Sequence, residues 1–234
     1  MRVDPRSCTL LKGVVGSTAY GLNHAGSDLD YRGIYAVPTR LLLGIDSPDL
    51  EQAVEYKNPD TAFYEAKHFC KLAIKSNPSI LELLWLDNYN VRTKAGDELI
   101  KIRDAFPTAK LVRAAYLGYA KQQYDKLLKD ERFEKRAKNA RHFARLLYQG
   151  ADLYSTGNLK VMLPNPQYFI HFGNYVANGD LALAKKEVAW AEAIFDTPSV
   201  LPDKPNKELI NEWLLGVRDG LFKYSDSDFA ENLV

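Results

Sequence analysis

The sequence lacks the features that mark a membrane or secreted protein. No apolar run approaches the ~20 residues that a membrane-spanning helix needs, and the first residues do not resemble a secretory signal. Cys8 and Cys70 are the only cysteines, so neither a disulfide framework nor a Cys/His metal site is indicated. We therefore expect a cytoplasmic protein with no membrane partner.

A large excess of charge of either sign is also missing. The chain has 31 Lys and Arg residues against 30 Asp and Glu residues, for a formal net charge of +1. This balance excludes a uniformly basic protein coated by nucleic acid, so any basic patch must be local. At 234 residues the chain is long enough for one large domain or two small ones.

Residues 13–35 carry the strongest chemical signal in the sequence. An apolar strand over residues 10–15 leads into the turn Gly16-Ser17, and residues 18–22 form a short helical segment. After a loop over residues 23–27, a second strand begins at Asp28. Because a glycine has no Cβ, the backbone at this turn can approach a ligand closely. The N–H groups that open the following helix favour an anion such as a phosphate, and Ser17 adds a hydroxyl donor.

Two aspartates open the second predicted strand. Side chains alternate between the two faces of a strand, so Asp28 and Asp30 share a face, with Cα atoms roughly 6.5 to 7 Å apart. This spacing suits two carboxylates that share one or two magnesium ions. The same alternation predicts that Leu29 points into the core. Phosphate donors followed by metal-binding carboxylates are the two parts that phosphoryl-transfer chemistry needs.

These residues carry a resemblance to a known superfamily. The pattern Gly16-Ser17-x-x-x-Gly21 followed by Ser27-Asp28-x-Asp30 resembles the signature of the DNA polymerase beta superfamily of nucleotidyltransferases. A longer set of residues resembles its RNA-repair-associated branch: Tyr20-Gly21, Asp28 to Gly33, Asn77-Pro78 and Glu82. Proteins of that branch are often predicted in bacteria and phages beside RNA ligases, so an RNA ligase is a possible functional associate. A turn and a strand end with no catalytic role would be the simpler interpretation of the same residues.

The resemblance implies a metal site and a nucleotide site. Two Mg²⁺ ions would be held by Asp28, Asp30 and a third acid, for which Asp60 is our first choice and Glu65 the alternative. Each of the last two could instead be a structural residue, Asp60 in a turn and Glu65 as a helix cap. The nucleoside triphosphate would be bound by residues around the turn and from a later helix, namely Gly16, Ser17, Tyr20, Gly21, Ser27, Arg32, Lys138, His142 and Arg145.

Four further residues have two possible roles each. Arg32 could reach a phosphate or form a structural salt bridge, and His24 could contact a ligand or lie exposed in its loop. Asn77 and Glu82 match the branch, but an asparagine before a proline is a common helix cap, so we expect mainly structural roles.

The expected fold class is α+β. Strands and helices alternate up to about residue 90, including a strand over residues 61–65, and this pattern favours an α/β nucleotidyltransferase core with a mixed sheet over residues 1–106. Residues 107–234 are expected to form an all-α domain, with helices over the following ranges: 107–129, 133–155, 181–195 and 208–224.

The helix over residues 133–155 has two contrasting faces. On a helical wheel one side is apolar, formed by Phe133, Ala137, Ala140, Phe143, Ala144 and Leu147. The opposite side, within a sector of roughly 120°, is cationic, formed by Lys135, Lys138, Arg141, His142 and Arg145. This cationic side is either a solvated surface or a source of positive charge facing the triphosphate or the acceptor.

The sequence therefore predicts a Mg²⁺-dependent nucleotidyltransferase that moves a nucleoside monophosphate from a nucleoside triphosphate to an acceptor hydroxyl. RNA is the acceptor that the resemblance favours. The alternatives are transfer to a small molecule or to a protein side chain, and a degenerate nucleotide-binding module that regulates a partner.

Overall fold

A computed structural model of the chain describes residues 3–45 and 52–222. A five-stranded mixed sheet occupies the N-terminal part and helices make up the rest, so the predicted α+β class is confirmed. The strands are β1 (Thr9–Val15), β2 (Asp30–Tyr35), β3 (Ala53–Tyr56), β4 (Thr61–Glu65) and β5 (Val91–Arg92).

The strand order across the sheet is β3-β4-β2-β1-β5. Strand β2 runs antiparallel to β1 and parallel to β4, and the β3 and β5 edge strands are antiparallel to their neighbours. Burial alternates along β4, where Thr61, Phe63 and Glu65 are buried, and along β1 from Leu11 to Val15, as expected for strands with one covered face. Strand β2 is the central strand, so its first residue, Asp30, lies between β1 and β4 at one end of the strands.

Ten helices are present in the described residues. Five accompany the sheet: α1 (Gly16–Ala19), α2 (Thr39–Leu43), α3 (Ala66–Ala73), α4 (Pro78–Leu81) and α5 (Lys94–Lys101). The others follow it: α6 (Ala109–Lys129), α7 (Phe133–Thr156), α8 (Pro166–Ala177), α9 (Leu181–Phe195) and α10 (Lys207–Phe222). Short 3₁₀ turns occur at Pro5–Cys8, Glu82–Trp85 and Arg103–Ala105. No helix among the described residues is long and apolar enough to cross a membrane.

The helical part packs around α7, which contacts α6, α8 and α9. Helix α10 turns back and lies against α2, α3 and α5 of the sheet-containing part. Two side chains of α10 fix this contact: the Trp213 indole donates to the Ala95 carbonyl at 2.9 Å, and Arg218 forms an ion pair with Glu65. The last described helix is therefore joined to the N-terminal part by buried polar contacts as well as by apolar packing.

The helices predicted from periodicity are present, with ends shifted by at most two residues; the predicted end of the last helix at residue 224 lies outside the described residues. Two helices were not predicted: α5, which Thr93 caps, and α8, which begins with Pro166 after the Asn165 cap. Residues 38–47 were expected to form a helical turn and a loop; α2 is this helical turn, and residues 46–47 lie outside the described part of the chain. Both cysteines are free and buried.

Two predicted core positions were wrong. Leu29 is 46 % exposed because β2 begins only at Asp30, so the residue belongs to the preceding loop and not to the alternation of the strand. Phe133 is 41 % exposed because it is the first residue of α7, where the helix has not yet come under its neighbours. The remaining residues of the predicted apolar side of α7 are buried.

Candidate functional site

The turn from β1 into α1 brings the backbone against a carboxylate. Gly16 has φ +71°, in the left-handed region that glycine tolerates best. A Cβ built at Gly16 would lie 2.5 Å from Oδ2 of Asp30, the residue paired with Val15 across β1 and β2. The position therefore requires glycine on two grounds: the backbone conformation and the space beside Asp30.

The loop between α1 and β2 is held by its own hydrogen bonds. The Ser27 hydroxyl accepts from the His24 N–H at 2.9 Å, and the Ser27 N–H donates to the His24 carbonyl at 2.9 Å. This closed loop delivers Asp28 to the same cavity as Asp30. His24 is exposed in the loop and also contributes to the cavity wall.

A cavity of about 280 Å³ lies between this turn and helix α7. The N-terminal part supplies its polar and acidic wall, with Ser17, Ser27, Asp28 and Asp30. Helix α7 supplies the basic wall with Lys138, Arg141 and His142, which are spaced so that they project from one side of the helix. Carboxylates and cations thus face each other across one cavity, as a site for a metal-bound polyphosphate requires.

Asp30 is a half-buried carboxylate without a counter-ion bonded to it. Among the described residues its side chain makes no hydrogen bond or ion pair. Burial raises the pKa of Asp30, and the charges of Asp60 and Asp28 raise it further, while Lys138 and Arg32 lower it. A carboxylate in this environment favours a bound cation, because the cation offsets the repulsion from the neighbouring acids and the cost of burying the charge.

Asp60 lies beside Asp30, immediately before the neighbouring parallel strand β4. The register pairs Tyr31 with Thr61, and the Tyr31 N–H donates to the Asp60 carbonyl at 2.8 Å. Residues at one level of adjacent strands share a face of the sheet, with backbones about 4.8 Å apart. Asp60 is exposed and lies outside the lining of the cavity.

Glu65 lies at the opposite end of β4 from Asp60. It is buried, and its carboxylate accepts from the Lys67 N–H at 2.8 Å, which caps α3, and pairs with Arg218 of α10. Both oxygens therefore already have partners. The structure places this alternative third acid in a cap and a salt bridge, away from the cavity.

The three cavity residues of α7 differ in character. Lys138 is exposed, whereas Arg141 and His142 are half-buried, and Arg141 packs on Gly173 of α8, where an added Cβ would lie 2.6 Å from its Cγ. Burial lowers the pKa of Arg141. Burial, together with the charges of Arg145, Lys138, Arg141 and Lys126, lowers the pKa of His142 to about 3, so the imidazole is neutral at pH 7.

Besides Gly16, Asp60 and Glu65, four predicted site residues do not line the cavity. Tyr20 is buried, and its hydroxyl donates to Glu82 at 2.5 Å. Arg32 pairs with the other Glu82 oxygen at 2.5 Å and also donates to the Ser79 carbonyl, so the salt-bridge alternative describes it. Arg145, predicted on the cationic side of α7, is 6 % exposed, with its guanidinium 4.1 Å from the centre of the Tyr20 ring.

The fourth of these is Gly21, which packs under the turn. Its φ is +72°, and an added Cβ would lie 2.9 Å from the Met162 sulfur and 3.0 Å from Pro166. The helical wheel assigned Arg145 to the same side of α7 as Lys138, but a wheel does not show that α1 covers the C-terminal half of this side. Asn77 caps α4 through the Ser79 N–H and donates to the Tyr119 hydroxyl, which is the structural role expected for it.

Arg141 is the cavity residue that the sequence-based site left out. It shares the helical sector of Lys138 and His142, so the wheel contained the signal. The other missed lining residues, Leu22 and Gly26, belong to the loop and have no distinguishing chemistry.

The cavity contains donors suited to a hard metal ion but no complete metal cage. Within residues 3–45 and 52–222, no three His, Cys, Asp or Glu side chains are grouped as a metal site. Mg²⁺ is usually held by one or two carboxylates together with substrate phosphates and water. Asp28 and Asp30, with Asp60 nearby, therefore fit a magnesium ion that arrives with a triphosphate better than a resident ion.

Comparison with known proteins agrees with this geometry. The sequence profile of the RNA repair pathway DNA polymerase beta family matches residues 6–166. The matched range contains the turn, both aspartates, β4 and all three cavity residues of α7. No curated protein matches the chain significantly.

Proposed function

The chain belongs to the RNA repair pathway DNA polymerase beta family, and on that basis we propose that it is a Mg²⁺-dependent nucleotidyltransferase that adds a nucleoside monophosphate to a hydroxyl of RNA. The observation that carries the proposal is the cavity in which Asp28 and Asp30 face Lys138 and Arg141 across about 280 Å³.

Each wall of the cavity has a separate task in this proposal. Ser17 donates a hydrogen bond to a phosphate oxygen, and the N–H groups at the start of α1 point toward the same anion. Lys138 and Arg141 offset the charge of the phosphates, which the two aspartates of the opposite wall would otherwise repel. These contacts hold the α-phosphate near the two aspartates, where the RNA hydroxyl attacks the α-phosphorus, the bond from that phosphorus to the bridging oxygen breaks, and pyrophosphate leaves.

Asp28, Asp30 and Asp60 would hold the magnesium, which supplies charge neutralisation of the phosphates and lowers the pKa of the attacking hydroxyl when bound. Asp60 lies at the level of Asp30 just before β4, outside the cavity lining, and is therefore proposed as the acid that accepts the proton of that hydroxyl. His142 is neutral at pH 7 and is suited to hydrogen bonding, because its low pKa leaves it a weak base.

The proposal is tested by incubating the protein with each of the four labelled nucleoside triphosphates. The acceptor offered is single-stranded RNA, single-stranded DNA, or the protein alone. We expect Mg²⁺-dependent label on RNA that EDTA abolishes. Label on the protein or on DNA alone would replace the acceptor in the proposal, and triphosphate binding with no labelled product would identify a nucleotide-binding regulator.

A further inference from the structure

A second cavity, of about 290 Å³, lies on the helical part of the protein. It is formed by α7, the segment before α8, α8 itself and α9. This volume is at the lower limit of ligand pockets, which are roughly 300 to 1,000 Å³, so it suits one planar ring system better than a whole nucleotide.

Aromatic rings form most of the wall of this cavity. The planes of Tyr148 and Trp190 are within 6° of parallel, with ring centres 6.4 Å apart, and Phe169 meets Tyr148 edge-on at 5.7 Å. Trp190 is 41 % exposed and Tyr168 42 % exposed, whereas Trp85 and Trp213 are buried. Flat, accessible aromatic faces of this kind stack well with nucleobases.

Two polar groups stand at the edge of the aromatic wall. The Glu187 carboxylate accepts from the Tyr168 hydroxyl and has further acceptor capacity. The Asn165 side-chain oxygen accepts from the Tyr168 N–H at 3.2 Å, which leaves its amide NH₂ as a donor. An acceptor and a donor beside stacking faces match the edge of a nucleobase, which carries both.

One segment of chain separates this cavity from the candidate active site. Pro164 and Asn165 line the aromatic cavity. In the same segment, the Leu163 N–H donates to the Tyr20 carbonyl at 3.3 Å, and Met162 and Pro166 pack on Gly21. Residues 162–166 thus bridge the turn beside the candidate active site and the aromatic cavity, and a single strand that crosses this segment would reach both.

We propose that this cavity binds one base of a single-stranded RNA acceptor, stacked on the exposed ring of Trp190, and so helps to position the acceptor end. The inference rests on the proposed function for its choice of ligand. Its test, however, reads binding and needs no catalysis.

The inference is tested by titrating the protein with a short single-stranded RNA, without nucleoside triphosphate, while its tryptophan fluorescence is measured. We expect quenching, because Trp190 is the exposed tryptophan and would stack on a base. Trp190→Ala should abolish the quenching and weaken RNA binding, measured by polarisation of labelled RNA, about tenfold or more. Tyr168→Ala should weaken binding in the same direction, and Trp190→Phe should retain most of the affinity.

Tyr175→Ala is the matched control, since Tyr175 is 62 % exposed on α8 but is not part of the cavity wall; it should bind RNA like the wild type.

Unchanged RNA affinity in both Trp190→Ala and Tyr168→Ala overturns the inference, as does equal quenching by a nucleoside triphosphate alone or by duplex RNA. Nucleotide transfer with normal RNA affinity in these variants would disprove this inference but not the proposed function. RNA-dependent quenching without transfer to any acceptor would disprove the proposed function alone.

Discussion

The Tyr20 hydroxyl donates a hydrogen bond of 2.5 Å to Glu82, and both side chains are buried. This bond joins the turn beside the candidate active site to the segment that begins at Asn77. Glu82 accepts from Arg32 through its other oxygen, and the Arg145 guanidinium lies over the Tyr20 ring. Tyr20, Glu82, Arg32 and Arg145, which match or accompany the family pattern, thus form one buried network next to the turn that borders the cavity.

Loss of the Tyr20 hydroxyl should destabilise the protein. Tyr20→Phe keeps the ring under Arg145 but leaves a buried carboxylate oxygen without its donor, at a cost of about 2 kcal/mol in the free energy of unfolding. Urea denaturation followed by circular dichroism measures the change. Tyr175→Phe, at an exposed ring, is the control and should be neutral; an unchanged free energy for Tyr20→Phe would show that the bond contributes nothing.

Lys138 and Arg145 should respond differently to the same substitution. Lys138→Gln removes an exposed cation from the cavity wall, so the KM for the triphosphate should rise several-fold and depend less on salt, with little change in Tm. Arg145→Gln removes a buried guanidinium over Tyr20 and its 2.6 Å bond to Gln149, so we expect a lower free energy of unfolding, by about 2 kcal/mol.

Lys135→Gln is the matched control for Lys138, since both lysines are exposed on α7 and only Lys138 lines the cavity. Equal KM values for the Lys135 and Lys138 variants would show that the basic side of α7 is only a solvated surface. An Arg145 variant as stable as the wild type would contradict its structural role.

Gly16→Ala tests the close approach of the turn to Asp30. The substitution adds backbone strain at φ +71° and places a Cβ 2.5 Å from the Asp30 carboxylate, so transfer activity should fall at least tenfold. Gly179→Ala is the control, because its φ of +107° brings strain while nothing lies within 4 Å of its Cβ. Equal activity of the two variants would mean that the contact with Asp30 does not matter.

The pKa of Asp30 predicts a pH-dependent effect on stability. Because burial and two neighbouring acids raise this pKa in the folded protein, ionised Asp30 destabilises the fold once the pH exceeds the ordinary value of about 3.9. Asp30→Asn should therefore be as stable as the wild type, or more stable, at pH 7, and the difference should vanish below that value. Thermal melts of both proteins across pH measure this difference in stability. A stability advantage of Asp30→Asn that grows toward low pH would contradict the raised pKa of Asp30.

Sequence patterns predicted the positions of residues best on regular elements. The turn Gly16-Ser17 after β1, the place of Asp30 on β2 and that of Asp60 just before β4 follow from local spacing. Asp28, in contrast, reaches the cavity from the loop before β2, so the strand alternation that placed it beside Asp30 was wrong. Periodicity likewise predicted the buried side of α7. In contrast, Leu29 and Arg145 were misplaced because strand onset and helix coverage depend on tertiary contacts.

Long-range partners were the part that local patterns could not supply. The pairing of Glu65 with Arg218 joins residues 153 positions apart, and that of Arg32 with Glu82 joins residues 50 apart. A carboxylate with a distant cation and one with a metal look the same in sequence. The division at residue 106 remains a prediction, although α10 packs against the sheet-containing part.

Single-turnover transfer by Asp30→Asn, at saturating Mg²⁺ and triphosphate, tests the central claim most directly. The variant removes one charge from the acidic wall with little change of shape. We predict a rate lower by at least about a hundredfold, with the fold unchanged by circular dichroism, since the metal would lose its half-buried carboxylate. A rate within twofold of the wild type would contradict the account, because the nucleotide would then react without the acid that defines the site.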